Sequence, residues 1–212
     1  MNKFTRDNYQ FEVLQPPFSA EVMAELKAVS DSWLAGETEK GFSLGFFDET
    51  YLNQAPVAVV YSPGHQIVAF ANIMPQGNDQ VTSIDLMRSS TDAPSGIMDT
   101  VFVHLFEQAR DQGYQYFNMG MAPLSGVGVS RYSFIQEKIA HLIYEYGYQL
   151  YGFQGLRSYK EKYVTDWEPK YIAYRKRNSL IFTILQLLQV VNTRVNKHGN
   201  HHPLLMPKRL SK

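Results

Sequence analysis

The sequence predicts a domain of the α/β (α+β) class, with a mixed, mostly antiparallel sheet and flanking helices. Two observations carry this prediction. The β-rich runs 57–61 and 66–74 are joined by a short turn containing Pro and Gly, which is typical of a hairpin. A strand at 81–88, a helix at 96–112 and a strand at 115–121 then follow in order. That order favours parallel pairing of the two strands through a right-handed crossover.

The first element of the chain is predicted to be a helix that begins after an irregular opening segment. Pro16 and Pro17 end that segment, and Ser19 stands where a helix N-cap belongs. Apolar residues then recur at helical spacing as far as Leu34, and Gly36 ends the pattern. The apolar positions are Val22, Leu26, Val29 and Trp33.

The elements after the crossover are predicted from the same periodicities. A helix at 132–146 is expected to turn its apolar residues inward, and strands are expected at 149–153 and 171–174. An apolar run predicts a further helix at 179–195. The expected organisation is a connecting segment and helix over 1–40, the main domain over 41–178, the C-terminal helix over 179–195 and a tail over 196–212.

Composition limits the chemistry of the chain. Its 212 residues contain no cysteine, which excludes disulfides, thiol nucleophiles and cysteine-ligated zinc. Lys plus Arg and Asp plus Glu are both 20, so net charge indicates neither nucleic acid nor membrane. No apolar run approaches the length that spans a bilayer. Cations concentrate in the stretch 157–176, which would suit a phosphate-bearing partner.

The strand at 81–88 carries an unusual pair of charges in an otherwise apolar run, Asp85 and Arg88. Buried charges are costly unless they are paired. Simple alternation would direct Asp85 and Arg88 to opposite faces of the sheet. For both side chains to reach one site, the strand must bulge, splay or end near them.

Several motifs in fixed order carry a resemblance to a known family. The sequence closely resembles the C-terminal catalytic region of the bacterial aminoacyl-phosphatidylglycerol synthases, the phosphatidylglycerol lysyltransferase family, which has a GNAT-like acyltransferase fold. The motifs are Gly-Phe-Ser-Leu-Gly-Phe-Phe at 41–47, Ile-Val-Ala-Phe-Ala-Asn-Ile-Met-Pro at 67–75, Asp-Leu-Met-Arg at 85–88, Phe-Asn-Met-Gly-Met-Ala-Pro-Leu at 117–124, Phe-Gln-Gly-Leu-Arg-Ser-Tyr-Lys-Glu-Lys-Tyr at 153–163 and Trp-Glu-Pro-Lys-Tyr at 167–171.

This resemblance implies a function and its partners. The family moves an aminoacyl group from tRNA to a hydroxyl of phosphatidylglycerol at the cytoplasmic face of the bacterial cell membrane, with no cofactor. It also implies an N-terminal GNAT-like half and a membrane domain beyond this chain, which by itself is expected to be soluble or peripheral. Lysine and alanine remain open as the transferred residue.

The resemblance also points to site residues. Asp85 and Arg88 match the family's Asp-x-x-Arg. We hypothesise that Asp85 holds or deprotonates a substrate group and that Arg88 grips a phosphate. Without the resemblance, a buried structural ion pair would be the favoured interpretation.

A second predicted cluster comprises Arg157, Lys160, Glu161 and Lys162, whose cations would bind phosphates of the lipid or of the tRNA 3′ end. The alternative for this cluster is an ordinary solvated run of charge. Asn118 is expected to line the pocket, and no metal site is predicted.

Two other functions are weighed against lysyl transfer. The chain could bind lipid or aminoacyl-tRNA and depend on the absent half for turnover. It could instead be an acyl-CoA-dependent N-acyltransferase. The chain contains no match to the Gln/Arg-x-x-Gly-x-Gly/Ala loop of coenzyme A-binding GNAT enzymes, which argues against that activity.

Overall fold

The computed structural model describes residues 2–36, 39, 45–74, 80–146, 153–171, 173, 182, 183 and 186. The helices and strands within these residues are, in chain order, α1 (Asn2–Arg6), β1 (Gln10–Leu14), α2 (Ala20–Leu34), α3 (Glu49–Leu52), β2 (Val57–Tyr61), β3 (Ile67–Met74), β4 (Val81–Ser89), α4 (Ile97–Asp111), β5 (Tyr116–Asn118), α5 (Ile135–Tyr146) and α6 (Phe153–Glu161).

The five strands form one sheet in the order β1-β2-β3-β4-β5. The first four strands pair antiparallel, and β5 pairs parallel to β4 after the crossover through α4. This arrangement confirms the predicted mixed, mostly antiparallel sheet with flanking helices. The opening segment was wrongly predicted to be irregular, because Gln10–Leu14 pairs with β2 as an edge strand.

Helices cover both faces of the sheet. Alternate residues of β2 face opposite ways, with Val57 and Val59 in one apolar cluster and Ala58 and Val60 in the other. The first cluster includes Leu26 of α2, and the second includes residues of α4. We call these two sides of the sheet the α2 face and the α4 face.

The long helices begin and end largely as the sequence predicts. The Ser19 hydroxyl accepts a hydrogen bond from the N–H of Val22 at 3.3 Å, which caps α2. Ala35 ends α2 in the left-handed conformation. Gly96, with a φ of 88°, precedes α4, where glycine tolerates a conformation that strains other residues.

The later elements depart further from prediction. Ile135, Leu142 and Tyr146 of α5 were predicted to face inward, yet each side chain is more than half exposed. The reason is that α5 packs on α6 and on its own preceding loop rather than on the sheet, so only Ala140 is fully buried among its residues.

Two predicted strands and one predicted helix fall mainly outside the described residues. Of the strand predicted at 149–153, residues 149–152 lie outside them and Phe153 begins α6. Tyr171 and Ala173 are not in a strand. The helix predicted at 179–195 is described only at residues 182, 183 and 186, which are helical. None of the described helices combines the length and the apolar character needed to cross a bilayer.

Candidate active site

The candidate site lies where β4 and β5 part. Their parallel pairing covers three residues of each strand and ends at the pair Ser83 and Asn118. Strand β4 continues to Ser89, whereas β5 ends at Asn118. Asp85 therefore lies two residues beyond the last β4–β5 pair, on the part of β4 that β5 does not cover.

A β-bulge in β4 determines which face Asp85 occupies. Met87 pairs with Ala71 and Ile84 pairs with Ile73, so Asp85 and Leu86 together oppose the single residue Asn72. The side-chain Oδ1 of Asn72 accepts a hydrogen bond from the N–H of Leu86 at 2.7 Å. Asn72 is almost fully buried, so it satisfies a backbone donor that the bulge removes from the ladder.

The bulge brings Asp85 and Arg88 onto the same face. Arg88 is the cross-strand neighbour of Phe70 and contacts α2 through Ser30. Asp85 contacts Tyr51, which packs on the same apolar cluster as Phe70. The geometric condition set by the sequence is thus met, because both side chains lie on the α2 face.

The carboxylate of Asp85 is held by two donors. Its Oδ1 accepts the backbone N–H of Gly45 at 3.1 Å, and its Oδ2 accepts the hydroxyl of Tyr51 at 2.8 Å. Asp85 itself is only partly buried. Each carboxylate oxygen can accept a second hydrogen bond, so a substrate O–H or N–H can still reach this group.

Glycine is required at position 45 by this close approach. A Cβ built on Gly45 would overlap Oδ2 of Asp85 and lie 3.0 Å from its Cγ. The missing side chain therefore lets the backbone N–H reach the carboxylate.

Tyr51 remains a hydrogen-bond donor over a wide pH range. Burial raises the pKa of its hydroxyl above the ordinary value, and the hydrogen bond to the Asp85 carboxylate raises it further. The hydroxyl that faces Asp85 is therefore protonated at neutral pH.

Arg88 is engaged by the protein on every side that the structure describes. Its side chain is buried, with Nη1 donating to the Ser30 hydroxyl and Nη2 paired with the carboxylate of Glu39. Its guanidinium carbon lies 4.9 Å from the centroid of the Trp33 ring. The described contacts of Arg88 are thus all with protein groups, and only 3% of the residue is exposed, whereas the hypothesis from the sequence has it grip a substrate phosphate.

Helix α6 carries three residues of the second predicted cluster, and the fourth, Lys162, directly follows the helix. Arg157 stacks over Trp167 at 3.6 Å, donates to the Ser125 hydroxyl at 2.9 Å and pairs with Glu161 at 3.0 Å. These residues are therefore fixed by partners and do not form a merely solvated run of charge. Lys162 is more exposed than Arg157, with 54% of its side chain accessible.

Lys160 supports the segment that follows β5. Its ammonium donates to the carbonyl of Met121 at 2.9 Å, and burial lowers the pKa of this lysine. Asn118 is exposed, and its Oδ1 accepts the N–H of Gly120 at 2.8 Å. Both predicted residues thus shape the turn after β5.

A polar cluster attaches α6 to the α4 side of the molecule. The Tyr163 hydroxyl donates to Asp99 of α4 at 2.5 Å, and Lys162 lies 3.7 Å from the same carboxylate. The ring of Tyr159 packs 6.0 Å from Phe102 of α4. A cleft of about 400 Å³ lies beside this cluster, between the end of β4 and α6.

The two predicted clusters therefore lie on different sides of the sheet. Contacts with α2 and α3 hold Arg88 and Asp85, whereas Tyr159, Tyr163 and Lys162 attach the α6 segment to α4. The Nζ of Lys160 contacts the segment that follows β5, through the carbonyl of Met121.

Sequence reasoning missed most of the residues that surround Asp85 and Arg88. Glu39, Tyr51 and Asn72 come from three separate segments, and none carries a local signal of its role. The one available signal was the glycine-rich motif at 41–47, which is among the motifs that carry the family resemblance. Gly45 of that motif contacts Asp85.

Comparison with known proteins identifies similar chains. The family model described as "Phosphatidylglycerol lysyltransferase, C-terminal" matches residues 1–174. The phosphatidylglycerol lysyltransferase of Bacillus subtilis (strain 168) is 47% identical over 190 residues, which are 90% of this chain and 22% of that protein. The phosphatidylglycerol lysyltransferase of Staphylococcus aureus (strain MRSA252) is 42% identical over 191 residues, again 90% of this chain and 23% of that protein.

A solved structure agrees in fold as well as in sequence. L-PGS from Bacillus licheniformis is 50% identical and superposes with a TM-score of 0.76, covering 91% of this chain and 58% of that one. The chain thus spans less than a quarter of the curated relatives just named and little more than half of this solved one.

Proposed function

The chain belongs to the family of phosphatidylglycerol lysyltransferase C-terminal regions, and from this premise we propose that it supplies part of the site that moves lysine from lysyl-tRNA to phosphatidylglycerol. The product is lysyl-phosphatidylglycerol. The longer protein acts at the cytoplasmic face of the membrane, where both an aminoacyl-tRNA and the lipid headgroup are available.

The observation that carries the proposal is the position and orientation of Asp85. Its carboxylate sits at the open end of the β4–β5 pairing, partly exposed, with one oxygen on the Gly45 N–H and the other on the Tyr51 hydroxyl. Two fixed donors orient the group, and each oxygen keeps one acceptor position for substrate. A general base must be within hydrogen-bond reach of the proton that it takes, and this arrangement suits that task.

The reaction is a transesterification. A glycerol hydroxyl of the lipid attacks the carbonyl carbon of the lysyl ester, and its proton passes to Asp85 as the new carbon–oxygen bond forms. The bond to the ribose oxygen of the tRNA then breaks, and the proton returns to that oxygen. Hydrogen bonds from Gly45 and Tyr51 keep Asp85 aligned during both steps.

The cations of α6 serve the phosphates of the substrates. Lys162 is the most available of them, because 54% of its side chain is exposed and it lines the cleft beside α4. Arg157 and Glu161 support the neighbouring Lys162, because their ion pair and the stacking of Arg157 on Trp167 hold them in place. Lys160 and Asn118 shape the turn after β5, next to the open end of the strands.

A transfer assay tests the proposal. The chain is incubated with lysyl-tRNA carrying labelled lysine and with vesicles of phosphatidylglycerol, and labelled lipid is measured after extraction. We expect label in the lipid for the wild-type chain and at least a tenfold lower rate for Asp85→Asn, since a neutral amide cannot accept the proton. Lys162→Glu should raise KM more at low salt than at high salt.

Controls separate the alternatives. A parallel reaction with alanyl-tRNA reports which amino acid is used, and Gly64→Ala serves as a variant away from the site. The coverage of only 58% of the solved relative favours a second candidate, a fragment that binds but does not transfer. Binding of tRNA or vesicles without labelled lipid would support that candidate. The proposal would be contradicted if the chain showed no binding and no transfer. It would also be contradicted if the chain used acetyl-CoA instead of lysyl-tRNA.

A further inference from the structure

Arg88 is surrounded by protein, although it belongs to the same four-residue motif as the partly exposed Asp85. Only 3% of the residue is exposed, and its partners come from α2 and from Glu39. An arginine that binds a substrate phosphate must direct free N–H groups toward that phosphate. The described contacts of Arg88 instead direct its guanidinium into the α2 face, against Ser30 and Trp33.

Glu39 connects Arg88 to the segment that holds Asp85. The Oε1 of Glu39 pairs with Arg88 and also accepts the backbone N–H of Phe47 at 2.9 Å. Phe47 lies two residues from Gly45, whose own N–H binds Asp85. A continuous set of contacts therefore runs from Arg88 through Glu39 and Phe47 to the carboxylate.

Besides the packing of Phe47 on the apolar cluster of the α2 face, few described contacts hold the segment 45–48 in position against Asp85. Within the described residues it has no regular structure of its own before α3 begins at Glu49. The Asp48 carboxylate caps α3 by accepting the N–H of Tyr51 at 2.7 Å. The Glu39 contact with Phe47 and the Asp48 cap therefore fix the two sides from which Gly45 and Tyr51 reach Asp85.

We propose that Arg88 and Glu39 are positioning residues, which act on Asp85 by fixing the segment that carries Gly45, and that Arg88 does not bind substrate phosphate. The guanidinium fixes the Glu39 carboxylate, and this carboxylate fixes Phe47. Loss of either charge lets the segment move, so that Asp85 loses its Gly45 hydrogen bond and its alignment. This inference rests on the proposed role of Asp85 for its effect on rate, but not for its effect on the segment.

The test measures amide hydrogen exchange at Gly45 and Phe47 together with transfer kinetics in Arg88→Lys and Glu39→Gln. Lysine keeps the charge but cannot pair with Ser30 and Glu39 at once, and glutamine keeps an acceptor but loses the charge. We expect both amides to exchange roughly tenfold faster or more in Arg88→Lys, because lysine cannot hold Ser30 and Glu39 at once and the contact that fixes Glu39 is weakened. The exchange of Val60 in β2 should stay unchanged as an internal reference.

Kinetics distinguish positioning from phosphate binding. A positioning role predicts a lower kcat with KM for phosphatidylglycerol little changed, and a smaller loss in Glu39→Gln than in Glu39→Ala because glutamine can still accept the Phe47 N–H. Phosphate binding by Arg88 predicts a raised KM, a rate restored by more lipid, and unchanged exchange. That second set of results would overturn the inference.

Controls keep the result independent of folding and of the proposed function. Lys27→Met removes the exposed pair Lys27–Asp31 and should change neither readout. If Arg88→Lys does not fold, Glu39→Gln carries the same test, since 21% of the Glu39 side chain is exposed and its loss is milder. If the chain transfers no lysine, the exchange result still decides the positioning claim. Unchanged exchange in a folded Glu39→Ala would refute it.

Discussion

Replacing Gly45 by alanine is the most direct perturbation of the candidate site. The added methyl would overlap Oδ2 of Asp85 and would lie 3.0 Å from its Cγ and 3.3 Å from Cγ of Leu86. The backbone at Gly45 is not in the left-handed conformation, so alanine causes no backbone strain there. The expected effect of the substitution is therefore purely steric. Either the Asp85 carboxylate or the segment must move, and the 3.1 Å hydrogen bond is lost.

The size of the effect follows from that hydrogen bond. A hydrogen bond to a charged group contributes about 1.5–3 kcal/mol. If this free energy is expressed in the transition state, kcat/KM for lysyl transfer falls by roughly 10- to 100-fold. The residue is only partly buried, so we expect global stability to change less than the rate does.

The assay compares Gly45→Ala with Gly64→Ala, which makes the same chemical change at the hairpin turn. The nearest atom to a Cβ at Gly64 is the Ser62 hydroxyl oxygen at 3.8 Å, an ordinary contact. Transfer rates and thermal unfolding are measured for both variants. Equal kcat/KM in the two folded variants would refute the claim that Gly45 orients Asp85.

Three further predictions follow from the same contacts. Tyr51→Phe removes the hydroxyl whose hydrogen bond Asp85 accepts, and it should lower kcat/KM about tenfold with thermal stability nearly unchanged. Because the pKa of Tyr51 is raised, the hydrogen bond in the wild type should persist up to about pH 9. A loss of wild-type rate below that pH would contradict this role of Tyr51. Asn72→Ala leaves the buried Leu86 N–H without its acceptor and should lower the free energy of unfolding by about 1–3 kcal/mol in denaturant titrations, whereas a change within error would show that the bulge does not need this side chain. The pKa of Asp99 lies below its ordinary value, because the hydrogen bonds from Tyr163 and Tyr159 and the charge of Lys162 together outweigh burial, which acts alone to raise it. Its contribution to stability is therefore present above about pH 4 and declines as the pH falls toward the lowered pKa; thermal unfolding of wild type and Asp99→Asn should converge in that window, and a constant difference would contradict the assignment.

Much of the fold was predictable because its signals are local. Apolar spacing and the Ser19 cap predicted α2, and the Pro-Gly turn predicted the β2–β3 hairpin. The edge strand Gln10–Leu14 was missed because it is only five residues long, too short for its polar–apolar alternation to be a strong signal. The apolar face of α5 was misassigned, since periodicity shows that a helix is amphipathic but not what it packs against.

The candidate site was predictable only in part. The sequence singled out Asp85 and Arg88 and required that their strand bulge, splay or end near them, and the structure contains a bulge. It did not predict that Arg88 is enclosed by Ser30, Glu39 and Trp33. These three residues lie 49 to 58 positions away from Arg88 in the chain, so no local pattern connects them with it. It also did not predict what α6 packs against, which is α4.

The sequence by itself determined the order of elements, the mixed sheet and the pair of charges on β4, because these follow from periodicity and residue type along a continuous segment. Only the tertiary structure decided the environment of those charges. The face that Asp85 occupies depends on Asn72 across the sheet, and its alignment depends on Gly45, 40 residues away. A side chain's partners are set by which segments the fold brings together, and one segment alone does not contain that information.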